Sequence, residues 1–139
     1  MAACAFFGHR DSPESLYPVL KETVREIIRS GLATVFYMGT QGNFNAMAYR
    51  AVKELQAAYP SVIVYRVLPY LPKTEIADSI LPEGIETVHP RYAISWRNKW
   101  LLDHSAMIVA YITHSYGGAA QAVRQAEKQG KHIIRISPL

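Results

Sequence analysis

The chain has 139 residues, 50% of them hydrophobic and 19% charged, with a net charge of +4 at pH 7. This composition excludes a disordered chain and predicts one folded domain over residues 1–139. No apolar run reaches the ~18 residues that a membrane span needs, no signal-peptide pattern opens the chain, and one cysteine excludes an internal disulfide framework. We therefore expect a cytoplasmic protein with no membrane partner.

Strands and helices are predicted to alternate along the chain. The predicted strands are short apolar runs at residues 3–7, 33–38, 62–68, 106–112 and 132–136. The predicted helices carry apolar residues at helical spacing and cover residues 15–30, 45–59, 92–104 and 117–129. The stretch 69–90 shows neither pattern and is predicted to be irregular, which in compact domains is typical of functional or disordered loops.

This order predicts an α/β fold. Alternating strands and helices form βαβ units with a parallel sheet. Strands that are apolar throughout indicate a sheet covered on both faces. We expect one three-layer, Rossmann-like domain with about five mostly parallel strands in the order 3-2-1-4-5 and helices on both faces.

Three glycine-containing turns follow predicted strands. They are Gly8-His9-Arg10, the segment 39–43, and Tyr116-Gly117-Gly118, which opens a helix. In open α/β sheets, ligands bind beyond the carboxyl ends of the strands. Glycine lets a backbone approach a ligand closely, a helix N-terminus favours a phosphate, and Arg10 offers a charge-assisted contact. A glycine after a strand is also an ordinary turn, so each turn alone is a weak indication.

Four segments together resemble a known family. They read FFGHR, MGTQGNFNAMA, RNKWLLDHSAMIVAY and YGGAAQAVRQAEKQGKHII, and their order and spacing extend over nearly the whole chain. They resemble the SLOG superfamily, which includes DprA and the cytokinin-activating LOG enzymes, and within it the short YpsA-like bacterial and phage branch. The resemblance implies a Rossmann-like fold that binds nucleotides or nucleotide-derived ligands.

The turns and the resemblance together define the expected ligand-binding residues. These residues are Gly8, His9, Arg10, Gly39, Thr40, Gly42, Asn43, Arg97, Asn98, Tyr116, Gly117 and Gly118. Tyr116 is the tyrosine we place against a base or ribose. The plainer alternatives are that His9 and Arg10 cap a strand end and that Arg97 and Asn98 lie on a solvated helix face.

The chain departs from the LOG pattern at the position that carries catalysis. LOG enzymes have a motif of the form Pro-Gly-Gly-x-Gly-Thr-x-x-Glu; here Tyr116 replaces the proline and Arg124 replaces the glutamate. A guanidinium cannot supply the acid–base group. Asn45 likewise stands where relatives in the short branch often have an aspartate. These departures argue against LOG-type hydrolysis, and the catalytic residues, if any, are unknown.

Two function classes remain open. The first is a binding module that senses or sequesters a nucleotide-derived small molecule, in bacterial or phage signalling. The alternative is an enzyme acting on an N-glycosidic or phosphate bond, with an acid or base drawn from His9, Glu83, Glu86, Asp103 and His104. A weaker alternative is DprA-like binding of single-stranded DNA; the chain has no Lys/Arg stripe, so we expect no nucleic-acid partner.

The remaining expectations concern assembly, metals and single residues. The helix 92–104 is apolar on more than one face, which predicts a homodimer or higher even oligomer. If the two-fold interface lies near the three turns, Arg97 can reach the ligand held by the partner. The histidines lack metal-ligand spacing, so no metal and no cofactor are expected. Cys4 is predicted to be a core residue, and we expect a helix-capping role for Asp103 or His104.

Overall fold

Six parallel strands form one sheet in the order β4-β3-β2-β1-β5-β6. The computed structural model describes residues 2–139. The strands are β1 (Ala3–Gly8), β2 (Val35–Met38), β3 (Ile63–Val67), β4 (Ser79–Ile80), β5 (Met107–Tyr111) and β6 (His132–Arg135). The predicted order 3-2-1-4-5 corresponds to β3-β2-β1-β5-β6, so the predicted fold class and order are confirmed.

β4 lies inside the stretch that was predicted to be irregular and adds a sixth strand at the edge of the sheet. It is held beside β3 by backbone hydrogen bonds, among them Leu68 N–H to the carbonyl of Ile80 at 2.9 Å. Asp78, just before it, has a left-handed backbone (φ 56°) and accepts a 2.6 Å hydrogen bond from the Tyr49 hydroxyl. A strand of two residues has no periodicity, so pattern alone does not reveal it.

Four helices cover the two faces of the sheet. They are α1 (Tyr17–Arg29), α2 (Gly42–Gln56), α3 (Ala93–Asp103) and α4 (Gly118–Lys128). α2 begins three residues earlier than predicted, directly inside the second glycine loop, and a 3₁₀ turn over Glu14–Leu16 precedes α1. None of the helices described for residues 2–139 is long and apolar enough to cross a bilayer.

The core is divided between the two faces by the alternation of side chains along β1. Cys4 and Phe6 pack with residues of α1 and α2, whereas Ala5 and Phe7 pack with residues of α3 and α4. Cys4 is fully buried, as predicted, and burial raises the pKa of its thiol. The three layers are therefore α1 and α2, the sheet, and α3 and α4.

The order of the strands places a crevice beside β1. The chain runs outward from β1 through β2 and β3, then returns to place β5 on the other side of β1, where Gly8 is in register with Tyr111. This reversal is the position at which open α/β sheets bind ligands. The loops that follow β1, β2 and β5 meet there.

Gly8 is required by packing rather than by its backbone conformation. A Cβ atom on Gly8 would lie 2.1 Å from Cγ of Phe44, whose ring is fully buried. We predict that Gly8→Ala lowers the free energy of unfolding by about 1–3 kcal/mol or more, the range for overpacked cores. Chemical denaturation measures the loss.

Gly118→Ala is the matched control, since its added Cβ would meet only Asn98 Nδ2 at an ordinary 3.6 Å. If Gly8→Ala unfolded at the same denaturant concentration as this control, the proposed contact between Gly8 and Phe44 would be wrong.

Candidate ligand-binding site

A cleft of about 280 Å³ lies at the carboxyl ends of β1, β2 and β5. Its wall on one side is formed by the loop after β1 and the start of α2; the other side is formed by α3 and the loop that leads into α4. The lining residues are Phe6, Phe7, Gly8, His9, Arg10, Asp11, Gly39, Gln41, Asn45, Ile94, Arg97, Asn98, Leu101, His114, Tyr116, Gly117, Gly118 and Ala119.

Nine of the twelve residues expected from the sequence line this one cleft. They are Gly8, His9, Arg10, Gly39, Arg97, Asn98, Tyr116, Gly117 and Gly118. They come from four separate segments of the chain. Their convergence follows from the parallel order of β2, β1 and β5, which brings the turns after these strands to one edge.

The other three expected residues, Thr40, Gly42 and Asn43, lie outside the lining. Gly42 has φ +84°, and a Cβ there would lie 2.6 Å from Cα of Arg10. The Asn43 N–H donates to the carbonyl of Arg10 at 2.8 Å. In this structure, Gly42 and Asn43 join the start of α2 to the loop after β1, and ligand contact by these three residues stays a prediction.

Arg97 is the most deeply buried charge of the cleft. Its side chain crosses from α3 beneath the end of β2 and is 4% exposed. It donates from Nη1 to the carbonyl of Val67 at 3.0 Å, from Nη2 to Oε1 of Gln41 at 3.1 Å and from Nε to Oδ1 of Asn98 at 3.0 Å. A Cβ on Gly39 would lie 2.6 Å from Nη1, so the glycine makes room for the guanidinium.

These contacts leave the charge of Arg97 uncompensated. Among residues 2–139, no carboxylate forms an ion pair with Arg97. Burial lowers its pKa to about 10, so the group stays positive at neutral pH. A guanidinium has five N–H groups, and the three hydrogen bonds occupy one on each nitrogen. Arg97 therefore retains donors and a full charge for an anion in the cleft.

Two expectations for Arg97 and the glycines need correction. Arg97 does not lie on a solvated face, because its side chain is 4% exposed and bonded to Val67 and Gln41 of its own chain. Contact between Arg97 and a ligand held by a partner subunit stays a prediction. The space beside Gly8 and Gly39 was expected to admit a ligand. It is filled by the Phe44 ring and the Arg97 guanidinium, respectively.

The start of α4 supplies a second feature that favours anions. Gly117 precedes the helix with φ +95°, a conformation that glycine adopts without strain. The backbone N–H groups of the first helical turn, from Gly118 and Ala119 onward, have no partner within the helix, and the helix dipole adds positive potential there. Both residues line the cleft. Arg10 lines it from the opposite loop.

His9 anchors a row of aromatic rings on the side of the cleft formed by the loop after β5. Its Nε2 accepts a 2.9 Å hydrogen bond from the Thr113 N–H, so its proton is on Nδ1. The ring stacks on His114 with centroids 3.6 Å apart, and His114 stacks on Tyr116 at 3.8 Å. Burial of His9, followed by the nearby His114, lowers the pKa of His9.

Several lining residues were not expected from the sequence. Gln41 lies between Gly39 and Gly42, and Asn45 lies in the first turn of α2. The Asn45 amide donates to the Gln41 carbonyl at 2.7 Å, and its oxygen accepts from the Gly39 N–H at 3.3 Å. His114 lies two residues before Tyr116. The sequence signal available for these residues was their closeness to the glycine-containing turns. Closeness in sequence does not distinguish a side chain that lines the cleft from one that points away.

The acid–base candidates are mostly elsewhere. Of the five named from the sequence, only His9 lines the cleft, and Asp11 is the only carboxylate among its lining residues. Asp103 pairs with Lys99 at 2.7 Å. His104 ends α3 with Nδ1 2.8 Å from the carbonyl of Trp100, in agreement with a capping role.

Arg124 lies outside the cleft lining, and its guanidinium donates to the carbonyl of Ser115 at 2.6 Å. Over residues 2–139, no group of three or more His, Cys, Asp or Glu side chains is arranged to hold a metal ion.

Comparison with known proteins finds likeness in structure alone. No family model matches the chain, and no curated protein matches it in sequence. DNA processing protein A (DprA) of Streptococcus pneumoniae superposes with a TM-score of 0.70 at 14% identity, over 99% of this chain and 50% of that one. The molybdenum cofactor carrier protein of Chlamydomonas reinhardtii superposes with a TM-score of 0.64 at 19% identity, over 97% of this chain and 76% of the carrier.

A third neighbour is DprA of Helicobacter pylori, whose structure concerns a single-stranded DNA binding mode. It superposes with a TM-score of 0.63 at 16% identity, over 98% of this chain and 65% of that one. The chain thus spans half the length of the S. pneumoniae protein. At these identities the likeness establishes a shared fold. Membership of the SLOG superfamily and of its YpsA-like branch stays a prediction.

The environment of His9 predicts a pH dependence of stability. The unfolded chain binds a proton at its ordinary pKa of 6.5, whereas the folded chain binds it only at lower pH. The contribution of His9 to the free energy of unfolding is therefore constant above about pH 6.5. It falls as the pH drops from there toward the pKa of His9 in the folded chain. We predict that His9→Gln, which keeps an acceptor for Thr113 but does not titrate, loses less stability over this interval than the wild type.

Denaturant titrations of both proteins between about pH 7.5 and 5 measure the difference, which removes the effect of the other histidines. Parallel curves for the two proteins would contradict the assignment of a buried, neutral His9.

Proposed function

We propose that the protein binds a phosphate-bearing, nucleotide-derived small molecule in the cleft and senses or sequesters it. The anionic part of this ligand would lie between the Arg97 guanidinium and the N-terminus of α4, with Arg10 closing over it from the loop after β1. The proposal rests on one observation above all: a buried guanidinium that lines the cleft and has no carboxylate partner among residues 2–139.

Burial of an uncompensated charge is costly, because the surrounding protein replaces water poorly. Replacing a buried ion by an apolar side chain of similar volume is often neutral or stabilising. The three neutral acceptors around Arg97 accept hydrogen bonds from its guanidinium but do not neutralise its positive charge. A phosphate supplies that charge and matches the paired N–H groups of a guanidinium.

The two alternatives have less support. An enzyme would have to use Asp11, His9 or His114, because these are the carboxylate and imidazole side chains among the lining residues. Binding of single-stranded DNA is suggested by the names of two structural neighbours, but a cleft of about 280 Å³ is closer to one nucleotide than to a strand. A homodimer or higher even oligomer stays a prediction, for which exposed Trp96 on α3 is one favourable feature.

The charge argument leads to a prediction with two readouts. We expect Arg97→Met to change the stability of the unliganded protein little, because removal of a desolvated charge offsets the loss of the hydrogen bonds to Val67, Gln41 and Asn98. We expect the same change to weaken ligand binding by at least ~10-fold, the loss of a charge-assisted contact. Arg29→Met is the control. It removes an equal charge from the exposed side of α1, where Arg29 pairs with Glu26.

Thermal-shift measurements identify the ligand first. The panel contains nucleoside phosphates, dinucleotides, cyclic ADP-ribose-type molecules, the molybdenum cofactor and an oligothymidylate. A ligand at 100 times its Kd adds about 2.7 kcal/mol to the stability, which is a shift of several degrees in Tm. No shift with any compound, or equal shifts in the wild type and Arg97→Met, would contradict the proposal.

The same samples separate binding from the alternatives. Chromatography after prolonged incubation should return the ligand intact. Release of free base or phosphate over many turnovers would favour the enzyme, and a shift with the oligothymidylate alone would favour DNA binding.

A further inference from the structure

Three rings stand face to face at the edge of the cleft. His9, His114 and Tyr116 have successive centroid distances of 3.6 and 3.8 Å and interplanar angles of 21° and 16°. The inner ring, His9, is 6% exposed, while the outer ring, Tyr116, is 71% exposed. The row therefore begins in the protein interior and ends at the open side of the cleft.

Hydrogen bonds and ring contacts of His9 and His114 fix the inner part of the row. His9 Nε2 accepts from the Thr113 N–H, and His114 Nδ1 lies 3.0 Å from the carbonyl of Tyr116. His9 also contacts the Tyr111 ring edge-on, at the end of β5. Tyr116 is thus an exposed aromatic side chain with its orientation set by its neighbours, although exposed tyrosines otherwise change rotamer freely.

Only one face of the Tyr116 ring is covered. Among the described residues 2–139, the ring of His114 is the one aromatic ring that stacks on it. Tyr116 immediately precedes Gly117 and Gly118, so the start of α4 lies within about 7 Å along the chain. A ring on the free face of Tyr116 would then be one short linker from an anion at the helix N-terminus.

We propose that a planar heteroaromatic ring of the ligand stacks on the free face of Tyr116 and becomes the fourth ring of this row. The ligand is then a nucleotide or a similar ring-bearing phosphate rather than a sugar phosphate. His114 is a positioning residue that supports Tyr116 from behind. Recognition by stacking depends little on which base is present, so the ring contributes affinity while the anionic end fixes the orientation. This inference rests on the proposed function of the cleft.

Paired ligands with and without a ring test the proposal. Ribose 5-phosphate and the four nucleoside 5′-monophosphates share a phosphate and a sugar and differ by the base. In the wild type, we expect the monophosphates to bind about 5- to 100-fold more tightly than ribose 5-phosphate, the range for one stacked base. In Tyr116→Ala this advantage should disappear, so that the monophosphates and ribose 5-phosphate bind with similar affinity. Tyr116→Phe, which keeps the ring, should bind like the wild type.

His114 is tested by rescue. His114→Ala should reduce the affinity advantage of the monophosphates over ribose 5-phosphate, and His114→Phe should restore that advantage, because a phenyl ring also supports Tyr116. In NMR spectra, the base protons of the bound ligand should shift upfield with the wild type and not with Tyr116→Ala.

The outcomes separate this inference from the proposed function. If neither ribose 5-phosphate nor any monophosphate binds, the proposed function fails for this ligand class and the inference fails with it. If ribose 5-phosphate binds, and the monophosphates bind no more tightly than ribose 5-phosphate to the wild type or bind equally well to the wild type and Tyr116→Ala, the stacking proposal is overturned. The cleft would then still bind phosphate.

Discussion

The arrangement of the cleft depends on the burial of the Arg97 guanidinium under the end of β2. The side chain reaches the carbonyl of Val67 and the amide of Gln41, and so connects α3 to the ends of β2 and β3. Gly39 permits this position because any side chain there would occupy the space of the guanidinium. This charge lies at the ends of β2 and β3, and no carboxylate among residues 2–139 pairs with it.

The other parts of the cleft are arranged around that charge. The start of α4 presents free backbone N–H groups from the far side, so the two positive features face one volume. The row of His9, His114 and Tyr116 bounds the same volume with aromatic surface. In the proposed function, the anionic end of the ligand would lie against the charge and its planar ring against the aromatic row.

The sequence was a good guide to the elements and the general place of the site. Apolar runs predicted five of the six strands, and the rule for open α/β sheets placed the turns at one edge. β4 escaped prediction because two residues, Ser79 and Ile80, carry no pattern. The early start of α2 at Gly42 was missed because the glycine was assigned to the turn after β2.

Residue roles were harder to predict than residue positions. Gly8 and Gly39 were correctly placed near the cleft, but the space they leave is taken by Phe44 and Arg97, which are distant in sequence. His114 had no motif to mark it, and its stacking follows only from the folded path of the loop after β5. Contacts between segments far apart in the chain decide such roles, and periodicity reports only on local structure.

The central claim is that Arg97 and the start of α4 hold one anion. In 15N-labelled protein, the Nε–H of Arg97 is protected by its bond to Asn98 and is assigned by its loss in Arg97→Met. During titration with adenosine monophosphate, we expect this resonance and the backbone amides of Gly118 and Ala119 to shift together with one Kd, while the Nε–H of exposed Arg29 stays in place. Binding that moves other resonances but leaves Arg97, Gly118 and Ala119 unchanged would contradict the account.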